Sequence, residues 1–530
     1  MRRWNGWGDE AVALAVPAAA RQLLVDLVGT GTPPRDADLG TVVSAVRESR
    51  LSGWSGLLTD PLVRILHARG QSFPDWVALR LGEVGETPDA VAYPETSVDA
   101  SKIIAVARAS GARLIPYGGG TSVVGHVNPP SDGPPVVTVD MRRMNACQSV
   151  DSKSGLAVFG SGIVGPNLEA RLRAEGFTLG HFPQSFEYST LGGWVATRSS
   201  GQESLGYGRI ERLFAGGKVE SPSGPLVLPA FPASAAGPDL REMLLGSEGR
   251  LGFLTECTVR VTRLPECEEV HGFLLPDWEV GTDAVRSILQ CGLRPSMLRL
   301  SSPEESRTLF ALSGHSGLLS YLSPLLRIRG IGAKSCFLLV GFKGNRHLVS
   351  HVREEVFSVL RAFGGVSLGQ RPGRSWRRSR FATPYLRNSL WELGYGVDTL
   401  ETACSWSALP RLVRSIEDGI RSAFGDASER CHVFTHLSHP YTDGSSLYTT
   451  LIFRLAPDPR ETLQTWCRAK EAASRAIAAG GGTISHHHGV GRDHRDHLEA
   501  EKGPLGVAAL RAVAKSLDPD GLMNPGKLVT

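Results

Sequence analysis

The feature that most constrains this chain is a run of three glycines followed by two hydroxyl residues, at residues 116–122 (PYGGGTS). Glycine has no Cβ, so successive backbone N–H groups in such a run can point toward one centre and form an anion-binding nest. The run is not a Walker A motif, because no Gly-Lys-Ser/Thr follows it, and it lacks the GxGxxG spacing of the dinucleotide-binding fingerprint. An ordinary turn is the alternative for a glycine run considered alone.

The residues around this run alternate between helical and extended patterns. Apolar spacing predicts helices over residues 97–109 and 166–175, and strands over 113–116, 136–140 and 156–159. This alternation indicates an α/β unit that begins near residue 88 and closes near residue 265.

A chain of 530 residues exceeds one hydrophobic core and is expected to form two or three domains. We predict a helical N-terminal region over residues 1–87, the glycine-loop unit over 88–265, an α+β substrate or cap domain over 266–480, and a C-terminal segment over 481–530 that returns to the glycine-loop unit. Outside that unit the spacing predicts helices over residues 42–51, 60–68, 409–423, 458–479 and 505–517, strands over 336–341 and 446–453, and a loop over the basic cluster 371–380. The tryptophans and glycines of residues 1–8 indicate an ordered arm that packs on another part of the protein.

The balance of charges and the cysteine content narrow the classes of function and location. Fifty-seven basic and 53 acidic residues give a formal net charge of +4, which is no reason to expect nucleic acid binding but allows a local basic patch. Eight scattered cysteines without a CxxC pair predict free thiols in a reducing compartment. Asp9, Glu10 and Pro17 disfavour a signal peptide, and no apolar stretch reaches the length of a spanning helix. We therefore expect a cytoplasmic protein, with peripheral binding at the inner membrane left open, and the abundance of Arg, Ala and Gly favours a bacterial source.

Three further segments extend the interpretation of the first loop. They are residues 183–200 (PQSFEYSTLGGWVATRSS), residues 246–255 (GSEGRLGFLT) and residues 518–527 (DPDGLMNPGK). The four motifs, in this order, resemble the FAD-linked oxidase family, whose flavin domain is like that of vanillyl-alcohol oxidase and para-cresol methylhydroxylase (PCMH). The resemblance implies an α+β protein with a PCMH-type FAD-binding domain, a cap domain, and a flavin diphosphate on the first loop. Thr121 and Ser122 replace the histidine that binds flavin covalently in some members, so we predict non-covalent FAD.

The resemblance assigns three loops to the cofactor. The residues that it assigns to FAD are Pro116, Tyr117, Gly118, Gly119, Gly120, Thr121 and Ser122 in the first loop, Pro183, Gln184, Ser185, Phe186, Glu187, Tyr188, Ser189, Ala196, Thr197, Arg198 and Ser199 in the second, and Glu248, Gly249, Arg250, Leu251, Gly252, Phe253 and Leu254 in the third.

A triple histidine at residues 485–491 (SHHHGVG) is the most unusual string in the chain. The metal-dependent lactate and glycolate dehydrogenases of the superfamily carry GDGNLH and EHGVG. Here Tyr448 stands about where their histidine would be, and His487 stands where their glutamate would be. His432, His436 and His439 offer further nitrogen ligands, but we predict no metal, because a site needs three or four convergent ligands and adjacent side chains diverge.

A closer resemblance connects the chain to one branch of this superfamily. The triple histidine, residues 436–448 (HLSHPYTDGSSLY), 384–390 (PYLRNSL) and 398–402 (DTLET), and the arm at 3–8 (RWNGWG) resemble the alkyldihydroxyacetonephosphate synthases. The DPDGLMNPGK tail departs from that branch and matches the wider oxidase family better. The resemblance implies that an acyl-dihydroxyacetone phosphate exchanges its acyl group for a long-chain fatty alcohol, in ether lipid biosynthesis. The flavin would then act as a covalent catalyst and electron sink without net redox change.

Roles for individual residues follow from the same resemblance. Tyr448 is implied as acid and base, with His486, His487 and His488 as its neighbouring donors or as phosphate ligands. Arg387 is implied for the phosphate, because a guanidinium binds it with two parallel hydrogen bonds. Arg299 is implied as a charge near the flavin, and an ordinary salt bridge is the alternative for a strand arginine.

Other possibilities stay open on the sequence alone. An FAD-dependent oxidoreductase acting on a 2-hydroxy acid or a similar alcohol is the main alternative, and a flavin-binding lipid carrier is a weaker one. An acyl chain requires an apolar tunnel in the cap domain, and residues 318–328 could line it, touch a membrane or form a buried helix. The sequence does not decide whether the chain is a homodimer.

Overall fold

The computed structural model describes residues 2–51, 54, 56–313, 328–425 and 430–529. The N-terminal region contains α1 (Ala18–Val28), α2 (Leu39–Ser44), α3 (Pro61–Leu66) and α4 (Phe73–Leu81). The glycine-loop unit contains β1 (Ala90–Ala92), α5 (Ser97–Ser110), β2 (Arg113–Tyr117), β3 (Val136–Asp140), β4 (Cys147–Asp151), β5 (Leu156–Gly160), α6 (Gly165–Ala174), β6 (Phe177–Thr178), α7 (Leu191–Thr197), α8 (Ser204–Tyr207), α9 (Ile210–Leu213), β7 (Phe214–Ser221), β8 (Gly224–Leu228), α10 (Arg241–Leu244), β9 (Phe253–Arg260) and β10 (Thr262–Arg263).

The remainder forms the cap domain and the C-terminal segment. It contains β11 (Cys267–Leu275), α11 (Trp278–Gln290), β12 (Met297–Ser301), α12 (Pro303–Leu312), β13 (Cys336–Gly344), α13 (Arg346–Ala362), β14 (Val366–Gly369), α14 (Arg371–Ser379), α15 (Leu386–Glu392), β15 (Tyr395–Ser405), α16 (Leu409–Ala423), β16 (Cys431–Pro440), β17 (Gly444–Arg454), α17 (Pro459–Ala479) and α18 (Leu498–Leu517).

The glycine-loop unit is built on two sheets of different kinds. The first is a parallel sheet of order β1-β3-β2, and the glycine loop leaves it at the end of β2. The second is an antiparallel sheet of order β4-β5-β9-β7-β8. The predicted helices and strands lie where expected, but the α/β alternation holds only for the parallel sheet. Beyond β3 the connections within β4–β5 and β7–β8 are short hairpins, which can join only antiparallel strands.

The cap domain is a seven-stranded antiparallel sheet of order β14-β11-β13-β12-β16-β17-β15. One face carries leucines and phenylalanines that pack against α11, α13, α16 and α17 and form the largest core of the chain. Side chains alternate between the faces of a strand, so the intervening residues project to the opposite face. That opposite face forms a wall of the cavity described below.

Three local predictions are wrong, each for a physical reason. The basic cluster at 371–380 is the helix α14 and not a loop, because Trp376 packs on the sheet while Glu268 and Glu203 pair with Arg377 and Arg380. The helix predicted over 42–51 ends at Ser44, and Asp38 caps its first turn. The helix predicted over 505–517 starts earlier, at Leu498, and is interrupted at Gly503, where φ is +69° before Pro504.

The N-terminal arm is ordered and packs on another part of the protein, as predicted, and that part is the cap domain. The backbone of Trp7 forms two hydrogen bonds with the Asn388 side chain, of 3.2 and 3.0 Å. Arg2 reaches further and donates to the carbonyl of Gly119 in the glycine loop at 2.6 Å. The arm therefore connects the cap domain to the glycine loop.

The remaining expectations about the chain as a whole have mixed outcomes. All eight cysteines are unpaired thiols, as predicted. In the part of the chain that the structure describes, no helix is long and apolar enough to cross a membrane. The apolar run at 318–328 lies outside the described residues except for Ile328. The bounds of the four regions given above stay predictions.

Candidate active site

A cavity of about 1270 Å³ lies between the glycine-loop unit and the cap sheet. The glycine loop and parts of the second and third predicted loops line one side. The inner face of the cap sheet and the helices α1, α12 and α15 line the other. The cavity therefore brings most of the predicted site residues into one space, although they are up to about 370 residues apart in sequence.

The glycine loop fits an anionic group such as a diphosphate. Among the described residues, no turn or loop hydrogen bond uses the backbone N–H groups of residues 118–121. These donors line the cavity and stay available to an anion. Glycine is required here because a Cβ on Gly118 would meet the Thr190 hydroxyl, and one on Gly119 would meet the backbone of Tyr188.

The second and third predicted loops contribute only in part. Pro183, Gln184, Ser185, Ser189, Ala196, Thr197, Ser199, Glu248, Gly249, Gly252, Phe253 and Leu254 line the cavity together with the whole of the first loop. Phe186, Glu187, Tyr188, Arg198, Arg250 and Leu251 do not line it. Phe186 packs on Trp194 and Phe381, and Arg250 donates to the carbonyl of Met523, so these side chains hold the loops in place.

The cavity face of the cap sheet changes from polar to apolar along its strands. Strand register places Glu401, Tyr448 and His436 opposite one another on β15, β17 and β16. Four residues further along, Val397, Ile452 and His432 are opposite one another in the same way. Because side chains repeat every second residue, both rows project to the same face.

The apolar end of this cavity is closed by the N-terminal helix. Val16, Ala20 and Leu24 of the N-terminal region pack against Phe434 and Ile452, and all five residues line the cavity. His432 lies at this end, and its Nε2 is 2.8 Å from the Thr308 hydroxyl. Burial lowers the pKa of His432 to about 4, so this ring carries no charge at neutral pH. The predicted apolar tunnel has its counterpart here, between the cap sheet and α1.

The triple-histidine segment is held by two buried carboxylates. Glu401 accepts hydrogen bonds from the Ser485 hydroxyl and from the backbone N–H groups of His486, His487 and His488, each at 2.8 Å. Glu248 of the glycine-loop unit accepts from the backbone N–H groups of residues 490 and 491. The segment thus joins the two sides of the cavity through its backbone, and His487 and His488 line the cavity while His486 lies behind them.

Burial keeps most of these imidazoles neutral. It lowers the pKa of His488 to about 3 and holds the pKa values of His486 and His439 well below the usual range for histidine. Burial also opposes ionisation of Glu401, but His487 and His488 hold the pKa of this carboxyl well below its usual value. The segment therefore combines one buried carboxylate with rings that mainly donate and accept hydrogen bonds.

Tyr448 lies in the middle of this polar end. Its hydroxyl donates to Thr399 Oγ1 at 3.2 Å, and its ring stacks against His436 at a centroid distance of 4.9 Å. Burial raises the pKa of Tyr448 to about 12. At neutral pH the phenol is therefore a proton donor, whereas the resemblance implied that Tyr448 acts as both acid and base.

Arg299 lines the cavity as part of a buried ionic triad. Its Nη2 is 2.7 Å from Glu305 Oε1, which is also 3.0 Å from Nδ1 of His436. Burial alone would raise the pKa of Glu305, but Arg299 and His436 lower it to about 2. Arg299 is therefore half of a salt bridge and also faces the cavity, and its role as a charge near the flavin stays a prediction.

Arg387 also lines the cavity, and its surroundings differ from those of Arg299. Its Nη1 donates to the carbonyl of Gln71 at 2.7 Å, and its guanidinium lies 4.3 Å from the ring centre of Trp76. Burial lowers its pKa from the usual value for arginine. Within the described residues it has no salt-bridge partner, so its remaining N–H groups are suited to an anionic ligand.

Several site residues were not assigned a role from the sequence. They are Glu401, Glu305, His126, which lines the cavity beside Glu248, and Arg2, which reaches the glycine loop. Glu401 belongs to the DTLET motif, so a signal existed, but its role depends on the fold.

Among the described residues, ligand atoms of His439, His486 and His487 lie within 4.8 Å of one another. Nε2 of His486 is hydrogen-bonded to the Tyr441 hydroxyl, and Nε2 of His439 is hydrogen-bonded to the carbonyl of Gly201. The absence of a metal stays a prediction.

Two family models match the chain and define its class. The model described as "FAD binding domain" matches residues 88–227, and the one described as "FAD linked oxidases, C-terminal domain" matches residues 264–528. The glycine loop and the cavity fit these matches, because the loop offers a row of backbone donors for the diphosphate. The protein is an FAD-linked oxidase-type flavoprotein with an α+β fold, and FAD is its cofactor.

The similar proteins narrow this class. An alkyldihydroxyacetonephosphate synthase of Dictyostelium discoideum is 34% identical over 482 residues, which cover 89% of this chain and 78% of that protein. Another of Trypanosoma brucei brucei is 31% identical over 568 residues, covering 99% and 92%. A solved alkyldihydroxyacetonephosphate synthase structure matches 99% of this chain and 98% of its own with a TM-score of 0.84 and 29% identity. The chain belongs to the alkyldihydroxyacetonephosphate synthase family.

The predictions of the family, the fold class and FAD are therefore confirmed. The synthases of Dictyostelium discoideum, Trypanosoma brucei brucei and Caenorhabditis elegans come from eukaryotes, so they give the predicted bacterial source no support.

Proposed function

We propose that this protein is an FAD-dependent alkylglycerone-phosphate synthase that exchanges the acyl group of an acyl-dihydroxyacetone phosphate for a long-chain fatty alcohol. The observation that carries the proposal is that three different surroundings meet in the cavity described above. A cradle for the FAD diphosphate, a polar end around Tyr448 and an apolar end under α1 open into the same space. A reaction that uses FAD on a substrate with a phosphate and a long chain requires these three surroundings together.

The residues around the polar end suit the binding of a phosphate-bearing headgroup. Arg387 supplies N–H groups that are not used by a carboxylate among the described residues. His487 and His488 line the same cavity, and Trp76, which lies against the guanidinium of Arg387, limits its rotation. Arg299 is less suited to the phosphate, because Glu305 already balances its charge.

When bound, FAD supplies the covalent catalyst and electron sink that the exchange requires. The first loop would hold its diphosphate through backbone N–H groups. Tyr448, which is neutral, would donate a hydrogen bond to an oxygen of the reacting headgroup and stabilise the charge that develops there. The buried triad of Arg299, Glu305 and His436 would fix the ring of Tyr448 from its other side.

An exchange assay without an electron acceptor tests this proposal. The protein is incubated with palmitoyl-dihydroxyacetone phosphate and labelled hexadecanol, and the flavin absorbance is followed. We expect a labelled ether product, release of palmitate and no lasting bleaching of the flavin. Turnover that requires an electron acceptor, with no ether product, would contradict the proposal.

That contrary result would favour the second candidate function, an FAD-dependent oxidoreductase acting on a 2-hydroxy acid or a similar alcohol. Similar proteins with oxidoreductase names support this candidate. An uncharacterized FAD-linked oxidoreductase of Escherichia coli is 29% identical over 400 residues, and a mitochondrial D-lactate dehydrogenase of Arabidopsis thaliana is 26% identical over 460 residues. Both are less similar to this chain than the synthases described above.

We also propose that the protein is cytoplasmic and binds peripherally to the anionic inner face of a membrane through α14. This helix contributes residues to the cavity wall and exposes Arg371, Arg374 and Arg378, which form no salt bridge with described residues. A basic helix beside a lipid-binding cavity is attracted to an anionic surface from which the substrate is taken. Sedimentation with phosphatidylglycerol vesicles should deplete the protein from solution, and phosphatidylcholine vesicles should not.

A triple variant with glutamate at these three positions provides the control for membrane binding. The variant should no longer sediment with the vesicles and should keep its FAD. Equal sedimentation of the variant and the wild type would show that α14 does not bind the membrane. A homodimer is the last part of the proposal, and light scattering during gel filtration measures it directly.

A further inference from the structure

The C-terminal tail at residues 518–527 is a sequence motif to which the proposed function gives no role. The tail runs beside β2, where Met523 forms a parallel bridge with Leu114. Leu114 makes backbone hydrogen bonds to the residues on either side of Met523, of 2.8 and 2.7 Å. Leu114 is two residues before Pro116, at which the glycine loop begins. The tail therefore extends the parallel sheet at the edge from which the glycine loop leaves.

Further contacts hold the tail against the third predicted loop. Asp518 accepts hydrogen bonds from the backbone N–H groups of Leu522 and Met523, each at 2.8 Å. Arg250 of the third loop donates to the carbonyl of Met523. The side chain of Met523 is buried in the same core as Phe253. The residue that follows Met523 is thus fixed between the first and third loops.

That residue is Asn524, which is 2% exposed and lines the cavity. Its φ is +39°, in the left-handed region that asparagine adopts more readily than most residues. Its Nδ2 donates to the backbone carbonyl of Glu248 at 2.7 Å. A carbonyl can only accept, so the NH₂ group faces Glu248 and Oδ1 is on the other side of the amide. Among the described residues, this buried Oδ1 has no hydrogen-bond partner.

The chemistry of Oδ1 defines the partner that it requires. Buried polar atoms in native proteins have a partner in the large majority of cases, and an amide oxygen can only accept a hydrogen bond. The partner must therefore carry an O–H or N–H group. The ionised diphosphate of FAD has only acceptor oxygens, so it does not suit Oδ1. FAD has donors on both sides of the diphosphate, namely the ribityl hydroxyls and flavin N3–H on one side and the ribose hydroxyls and adenine amino group on the other.

We propose that Asn524 is a cofactor-binding residue whose Oδ1 accepts a hydrogen bond from an O–H or N–H group of FAD outside the diphosphate. The tail thereby adds a fourth segment to the three loops predicted for the cofactor. The glycine loop supplies donors to the anion, and Asn524 supplies an acceptor to a neutral part of FAD. This role does not depend on the proposed exchange, because FAD is the cofactor in both candidate functions.

Asn524→Gly tests the contact, since it removes the amide and glycine adopts a positive φ without strain. The Kd for FAD is measured from the recovery of flavin fluorescence when the FAD-loaded protein is diluted. We expect the Kd to rise about 5- to 50-fold, because the variant leaves a donor of FAD unpaired in a buried site. A Kd within about twofold of the wild type would overturn the proposal. Asn524→Ala should show the same rise, so the test does not depend on one variant.

Competition by ADP and by FMN separates a direct contact from a distorted loop. ADP contains the adenosine side of FAD and FMN contains the riboflavin side, and each is used to displace FAD from the loaded protein. A direct contact predicts that the inhibition constant of only one probe rises at least about fivefold in Asn524→Gly. A rise for ADP alone places the donor on the adenosine side, and a rise for FMN alone places it on the riboflavin side. An equal rise for both probes would show a distorted loop and would overturn the contact.

Asn128→Ala is the matched control. Asn128 is also a buried asparagine whose Oδ1 has no partner among the described residues, and its Nδ2 donates to Asp75 at 2.6 Å. It does not line the cavity. Asn128→Ala should therefore keep the Kd for FAD within about twofold of the wild type. An equal weakening of FAD binding in the Asn128 and Asn524 variants would mean that the amide of Asn524 acts only through packing, against the proposal.

Discussion

Replacing Glu305 with glutamine should destabilise the cap domain by an amount that depends on pH. The Glu305 carboxyl is about 4% exposed and contacts both Arg299 and His436. Its pKa is lowered from 4.5 to about 2. A difference of about 2.5 pH units corresponds to about 3 kcal/mol of folding free energy at neutral pH. Breaking a buried ion pair by removing one partner costs about 3–5 kcal/mol, which agrees in size.

The sign of the pH dependence follows from the direction of the shift. A carboxyl whose pKa is lowered by folding stabilises the protein above its unfolded value, and this contribution disappears as the pH falls toward its folded value. The difference between the wild type and Glu305→Gln should therefore be complete above about pH 5 and should shrink steadily below pH 4.5. In a domain of about 200 residues, about 3 kcal/mol corresponds to a loss of about 6–12 °C in Tm.

Thermal unfolding followed by circular dichroism between pH 3 and 8 measures this effect. Glu304 is on the same turn of α12 and forms no salt bridge with a described residue, so Glu304→Gln is the matched control. We expect Glu304→Gln to stay within about 2 °C of the wild type at every pH. A Glu305→Gln variant that loses less than about 2 °C at pH 7, or the same amount at pH 3 and pH 7, would refute the pairing.

Four other outcomes are expected. Gly119→Ala should abolish FAD binding, because the new Cβ would meet the backbone of Tyr188, while Gly332→Ala should keep it, because no described atom lies within 4 Å of its Cβ. Arg2→Ala should raise the Kd for FAD about tenfold in a fluorescence titration, because a charged hydrogen bond to the loop carbonyl contributes about 1.5–3 kcal/mol. Tyr448→Phe should keep fold and FAD but lower exchange at least about 100-fold, and full activity would remove the phenol from the mechanism. Acid precipitation should leave the yellow colour in the supernatant, whereas colour in the pellet would show a covalent flavin.

The parts of the fold that are specified by nearby residues could be predicted from the sequence. The strand Val136–Asp140 and the helix Leu409–Ala423 have the predicted bounds, because their periodicity and end signals lie within the elements themselves. The glycine loop was found in the same way, since its chemistry depends on adjacent residues. The helix α14 was missed because its formation depends on Glu268 and Glu203, which are distant in sequence and neutralise Arg377 within the helix and Arg380 directly after it.

The chemical state of the site depends on contacts that periodicity does not reveal. Tyr448 was placed by its motif, but its raised pKa follows from burial, which depends on the packing of the cap sheet. Glu401 and Glu305 approach the site from a different strand and a helix. Glu401 is directly opposite Tyr448 only because β15 and β17 pair in this register. A shift of one residue would turn every side chain of β15 to the other face.

The same register explains how one cavity can bind a charged headgroup and an apolar chain. The row of Tyr448 and the row of Ile452 are four residues apart on β17, which corresponds to about 13 Å along a strand. The polar end of the cavity therefore lies within reach of the histidine segment, and the apolar end lies beyond the reach of that segment. Helix α1 covers the apolar end, although both family matches begin only at residue 88 or later. The N-terminal region thus contributes to the substrate cavity itself, and a chain without α1 would expose Phe434 and Ile452 to water.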